Sequence, residues 1–273
     1  MEWVSKYVDD ISAGEKICLA NSTSVWSQRK EERLVRAPYC EKIHDIVAKN
    51  SRAIGMKLNS AKTQLLCITA AINYEVRSTI DIEGTQIVSG DELKVLGFTM
   101  GRRPTMRPHV EAMKKKYVTR THVIRHLKKV GFANHKLTKI LCSLIRPIIE
   151  FAAQVYHHML TEELNEEIER LQRDVLKSIY GFDTPYSTAL EISNLETLES
   201  RRKTLALNFA LSLEKNAKFS SWFPLQGEYR HNIREKKKYK EEFALRDRLR
   251  NSPVFSMRRM LNDHYAALER KET

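Results

Sequence analysis

The hydrophobic period of this chain changes at Arg107-Pro108, and that change fixes its fold class: short β segments before it, long amphipathic helices after it. Upstream, residues 28–53 include Leu34 and Val35. After Pro38 the spacing of Ile43, Ile46, Val47 and Ile54 predicts a helix, with Gly55 placed to end it. Residues 64–69, 79–82, 86–88 and 94–100 read as short strands, with a hairpin around Glu83-Gly84. Downstream, residues 110–130, 137–159, 162–180 and 195–216 read as helices, the third opened by Thr161 with Glu162 and Glu163 near its positive end. Pro147 removes a backbone donor inside the second, so that helix should kink or divide. Gly181 and Pro185 mark a break before the fourth. Residues 234–250 form a strongly charged helix candidate, and Asn251-Ser252-Pro253 separates it from a short final helix over 255–268. The expectation is an α+β chain, with short antiparallel strands and helices followed by a larger, mostly helical region.

With 273 residues, 42% of them hydrophobic, the chain can bury a core and has room for one or two domains. No apolar run approaches the roughly 20 residues a membrane span needs, and no signal region opens the chain, so an intracellular protein without a membrane partner is expected. Cys18, Cys40, Cys67 and Cys142 lack any C-x-x-C spacing, which argues against a structural zinc site or a disulfide framework and for reduced, partly buried thiols. His122 and His126 can share a helix face, but without a nearby acidic or cysteine partner that face reads as solvated.

The net charge of +13 is unevenly placed. Residues 1–100 balance 13 basic against 13 acidic side chains, whereas residues 101–146 carry 13 Lys/Arg and one acid, Glu111. Residues 147–200 are acidic, with 11 Asp/Glu against 3 Lys/Arg, and residues 201–273 are basic again, with 18 against 9. A 46-residue segment at +12 repels itself unless phosphates or the acidic stretch behind it neutralise it. Arg102, Arg103, Arg107, Lys114, Lys115, Lys116, Arg120, Arg125, Lys128 and Lys129 are therefore the candidate nucleic-acid contacts, against the plainer alternative that they solvate a helix face. Trp222 and Phe223 in an aromatic turn can stack on bases or pack a core.

The segment Lys6-Tyr7-Val8-Asp9-Asp10 adds a chemical signal. Nucleotidyl transfer uses carboxylates to hold two Mg²⁺ about 4 Å apart, one activating the attacking hydroxyl and one steadying the leaving phosphate. Hard cations prefer oxygen ligands. Apolar segments flank the aspartates and read as hairpin strands, and a bend lets adjacent side chains approach one site that a straight strand would separate. Asp-Asp is also a common turn dipeptide, so the pair alone is a weak signal.

The ordered series that follows is more specific. It comprises Gly55-Met56-Lys57-Leu58-Asn59-Ser60-Ala61-Lys62-Thr63, then Leu93-Lys94-Val95-Leu96-Gly97-Phe98. Further on come Ser143-Leu144-Ile145-Arg146-Pro147-Ile148-Ile149-Glu150-Phe151-Ala152 and the stretch from Leu171 to Gly181. Over nearly the whole chain this resembles the reverse transcriptase of non-LTR, LINE-type retrotransposons. The resemblance implies a partial polymerase palm over 1–105, a basic then acidic thumb-like helical region over 106–185, and a C-terminal helical extension over 186–273. It implies that Asp9 and Asp10 hold catalytic Mg²⁺, with Tyr7 and Val8 beneath the nucleotide or primer end. Lys62 would assist the departing pyrophosphate, and Leu96 and Gly97 would meet the primer. RNA template and DNA primer are the implied partners.

The family's further metal-binding aspartate and its fingers come from upstream of the metal turn, and these 273 residues do not include them. The expectation is therefore a fragment of an RNA-directed DNA polymerase, inactive by itself and possessing a docking place for the missing palm and fingers segment. The alternative is a non-catalytic, basic nucleic-acid-binding module derived from such an enzyme.

Overall fold

The computed structural model describes residues 33–36, 38–56, 58–59, 62–68, 76–82, 84–227, 237–241 and 247–272. The chain divides into two compact units, Met1–Pro108 and His109–Thr273.

In the first unit, β1 (Arg33–Arg36) leads into α1 (Pro38–Ala53), where proline occupies the first helical position and its missing N–H costs no helix hydrogen bond. Gly55 at φ +76° ends this helix. Its N–H donates to Arg52 O at 3.0 Å and that of Met56 to Ser51 O at 2.8 Å, the paired bonds of a Schellman cap. Strands β2 (Val76–Ile82) and β3 (Thr85–Val88) make an antiparallel hairpin, and β1 adds to β2 in parallel. The α+β class is as expected, although this sheet is mixed. Leu34 and Val35 lie in the strand β1, ahead of the helix. Residues 64–68 contribute only an isolated parallel bridge, Leu66 to Gly90, where a strand was expected.

A second, two-stranded sheet pairs β4 (Glu92–Val95) with β5 (Phe98–Gly101). The single strand expected over 94–100 is thus a hairpin, because Leu96 at φ +47° and Gly97 at φ +90° reverse the chain. Positive φ at both central residues gives a type I′ turn, whose twist matches that of the strands. At its far end only glycine fits at position 101, since a Cβ there would lie 2.8 Å from Pro108 Cγ.

The second unit is helical. Helix α2 (Arg107–Lys129) closes on Gly131, and α3 (Asn134–Ile140) passes through a π-turn over Leu141–Ile145 into α4 (Arg146–Glu150). Pro147 divides this stretch as its lost donor requires, and Ala152 at φ +56° breaks it again before α5 (Ala153–Tyr156) and a 3₁₀ turn, His157–Met159. Helix α6 (Glu162–Tyr180) is capped by Thr161, whose hydroxyl accepts from Leu164 N at 3.3 Å. After α7 (Tyr186–Ser193), α8 (Leu198–Glu214) begins behind the capping hydroxyl of Thr197. Val110, Met113, Ile124, Leu137, Ile145, Ile149, Ile168, Leu176 and Ile179 form the buried centre.

After α9 (Asp247–Arg250) comes α10 (Pro253–Glu272), and a second cluster joins α8 to the 3₁₀ turn Ala217–Trp222 and to α10 through Leu213, Phe223, Tyr239, Met257 and Leu261. The charged helix expected over 234–250 is corrected by this part of the fold. Residues 237–241 are not helical, with a bend at Lys238 and Tyr239 bridging Leu225, and only Asp247–Arg250 is helical among the described residues of that range. Phe223 is buried in the cluster and Trp222 remains 39% exposed. Cys40 is disulfide-bonded, against the expectation of reduced cysteines, while Cys67 and Cys142 are free.

Candidate nucleic-acid interface

Helix α2 is 23 residues long and buries one stripe: His109, Val110, Met113, Tyr117, Thr121 and Ile124. Spacings of three and four residues place these on a single face, so the cations between them are driven to the others. Each basic side chain is then decided by what stands opposite it. Lys114 reaches Glu167 of α6 at 3.5 Å. Arg120 donates to the carbonyl of Leu144 at 2.8 Å, within the π-turn. Lys128 donates to Asn134 Oδ1 at 2.6 Å and to Ile179 O at 2.8 Å, which places a cation on the negative end of α6. These three hold the helical framework together.

Lys115, Lys116, Arg125 and Lys129 are exposed, and their side chains make no hydrogen bond or ion pair among the described residues. At 100° per residue Lys115, His122, His126 and Lys129 share one outward face of α2. The two histidines were read from sequence as solvated, and they lie within the cationic face; their i, i+4 spacing was the signal. In the first unit, Arg102 closes the β4–β5 hairpin, donating to Asp91 Oδ1 at 3.1 Å, whereas Arg103 is exposed and has no such partner among the described residues. Arg107 is exposed at the start of α2.

The acidic stretch behind α2 was one candidate for neutralising it, but much of that acid is engaged elsewhere. Glu166 pairs with Arg173 at 3.0 Å, and Glu150 holds Arg146 at 3.5 Å and Arg201 at 3.1 Å. Glu169 accepts from the Tyr186 hydroxyl and from the N–H groups of Leu198 and Glu199 at 3.2 and 3.3 Å, so its carboxylate caps the positive end of α8. Beneath the basic face His109, Tyr117 and Tyr156 are kept neutral. Burial, assisted by Lys116, lowers the His109 pKa to about 4, and burial raises those of Tyr117 and Tyr156. The exposed cations of α2 lie on the faces away from its buried stripe.

Lys62 is exposed in a single turn, its N–H donating to Asn59 O at 3.1 Å. Leu96, 82% exposed, and Gly97 form the tip of the β4–β5 hairpin. Tyr7, Val8, Asp9 and Asp10 lie outside the described residues. Among the described residues no three His, Cys, Asp or Glu side chains are grouped to hold a metal ion, and no helix is long and apolar enough to cross a membrane.

The described chain is thus a small mixed-sheet unit and a helical unit with an outward cationic face. Comparison with known proteins gives a relation of the same kind. The chain is 26% identical over 152 residues to a probable RNA-directed DNA polymerase from transposon BS of Drosophila melanogaster, a match covering 54% of this chain and 16% of that protein. That similarity supports a reverse-transcriptase-related origin. No protein-family model matches the chain, and no solved structure matches it significantly.

Proposed function

We propose that the chain is part of the reverse transcriptase of a non-LTR retrotransposon, in which the helical unit grips the phosphate backbone of RNA template and DNA primer. The observation that carries this reading is the set of exposed cations on α2, Lys115, Lys116, Arg125 and Lys129, which have no partner among the described residues while their neighbours do. Cations displaced from helix packing and clustered on one element release condensed counterions when they meet phosphate, which gives sequence-independent, salt-sensitive binding. The exposed, positive-φ tip at Leu96-Gly97 supports a role for that hairpin against the primer, where a glycine lets backbone approach closely.

In this reading Asp9 and Asp10 hold Mg²⁺ and Lys62 assists the leaving pyrophosphate in the complete polymerase. The 273 residues alone bind nucleic acid without polymerising, because two carboxylates are too few to fix a metal pair. Template-dependent incorporation of deoxynucleotides by this polypeptide, abolished by Asp9→Asn and Asp10→Asn, would refute that inactivity.

Binding is tested by fluorescence anisotropy with labelled RNA and RNA–DNA hybrids over a salt series. The triple variant Lys115→Glu, Lys116→Glu, Lys129→Glu should lose at least about tenfold in affinity and show a shallower salt dependence, by about 0.7–0.9 in log–log slope for each contact removed. Unchanged affinity and slope would exclude the α2 face.

A further inference from the structure

The end of α8 holds a group that its position disfavours. Glu214 is the last residue of that helix, where the partial negative charge of the helix repels a carboxylate. Four interactions offset the repulsion. Lys238 donates to Glu214 Oε1 at 2.7 Å, the Tyr265 hydroxyl bonds both carboxylate oxygens at 2.9 and 2.8 Å, and the Tyr239 hydroxyl donates as well. The same ammonium lies 3.9 Å from the centroid of the Tyr265 ring and 5.3 Å from that of Tyr239. Two aromatic rings and a carboxylate around one cationic nitrogen are the elements of a cation cage, in which ring quadrupoles and the anion act on the same charge.

The rest of the segment is held by its main chain. Asn262 of α10 takes both backbone groups of Tyr239, accepting from its N–H at 2.8 Å and donating to its carbonyl at 3.0 Å. Gln226 N donates to Lys238 O and Lys240 N to Pro224 O, each at 2.9 Å, which adds one rung of antiparallel pairing. Main-chain bonds thus fix the direction of the segment, and the cage reads the side chain at position 238. Lys238 is still 41% exposed, so the cage is open to solvent on one side.

We propose that Glu214, Tyr265 and Tyr239 form a binding site for an alkylammonium group, which the chain fills in cis with Lys238 and thereby latches residues 237–241 onto α8 and α10. The chemical class follows from the walls: a primary or methylated ammonium satisfies both rings and the carboxylate, and a neutral group of the same size satisfies neither. The latch accordingly depends on the charge at position 238. Loss of that charge releases the segment and leaves the cage open to another ammonium.

The test is chemical rescue read by amide hydrogen exchange at Gln226, Tyr239 and Lys240 in the full chain. Lys238→Ala should lower protection at these amides by about tenfold, the scale of a partly exposed cation–π contact together with its ion pair, while amides of α6 keep theirs. Added n-propylammonium, which replaces the deleted side-chain atoms, should restore protection saturably, and n-propanol should not. Adding Tyr265→Leu to Lys238→Ala should abolish the rescue. Protection unchanged in Lys238→Ala, rescue by the alcohol equal to that by the ammonium, or rescue that survives loss of Tyr265 would each overturn the site. Should Lys238→Ala unfold the unit, Lys238→Met, which keeps an unbranched stem without the ammonium, carries the exchange comparison: lost protection supports the cage and retained protection overturns it.

Discussion

Leu96 stands at φ +47°, a conformation that places the Cβ of an L-residue against its own carbonyl and suits glycine or asparagine. It is also 82% exposed, so no packing compensates the strain. Leu96→Asn should therefore stabilise the first unit by about 1 kcal/mol, seen as a higher urea midpoint at constant slope. If Leu96 meets the primer, the same variant should weaken hybrid binding, a stability gain opposed by a functional loss. The turn was not legible in the sequence because Leu-Gly lacks the Asn-Gly or Asp-Gly signature of a type I′ hairpin, and the run from Lys94 to Met100 reads as continuous strand. Gly55 was legible, because a glycine after a helical period has one common use.

At the scale of elements, α2 shows what patterning does and does not specify. Its length and buried stripe follow from spacing, as do α6 behind the Thr161 cap and the division at Pro147. Which lysines are structural does not follow, since Lys114, Lys115, Lys116 and Lys128 are chemically alike and only their opposite neighbours separate them. Lys128→Ala should lower the thermal midpoint of the helical unit, at a cost of about 1 kcal/mol, because it uncaps the end of α6. Lys115→Ala should leave that midpoint unchanged and act on nucleic-acid affinity alone. A result in which the two variants exchange effects would invalidate the assignment of partners along α2. The helix expected over 234–250 failed for a related reason. Its charge pattern suits a solvated helix, but residues 237–241 gain more from the cage, Asn262 and the strand rung than from local helix bonds.

At the scale of the molecule, acid lability follows from buried bases. His109, His157 and His158 have pKa values lowered to about 4, each first by burial, with Lys116 adding to it at His109. His158, Arg202 and Lys203 add to it at His157, and Arg259 at His158. The unfolded chain binds protons at these groups below about pH 6.5 while the folded chain does not, so stability falls as pH drops from about 6.5 toward 4. His109, 3% exposed, alone should cost about 2 kcal/mol at pH 5 relative to neutral pH, and the two more exposed histidines less. Urea unfolding at pH 7 and pH 5 measures the loss, and His109→Gln should shrink the pH dependence. A flat profile would show that these imidazoles titrate normally.

The sequence by itself determined the α+β class, the change of period at Arg107-Pro108, the caps, the proline break and the location of the charge, all set by interactions within a few residues. Tertiary structure alone decided the parallel strand β1, the hairpin at Leu96-Gly97, the division of α2 into structural and exposed cations, and the capture of Lys238. The physical reason is common to all four. Each depends on a partner brought close by folding: strand β2 for β1, α6 for Lys128, and Glu214 with Tyr265 for Lys238. The turn at Leu96-Gly97 likewise rests on the pairing of β4 with β5, and the linear spacing of residues carries no record of these approaches.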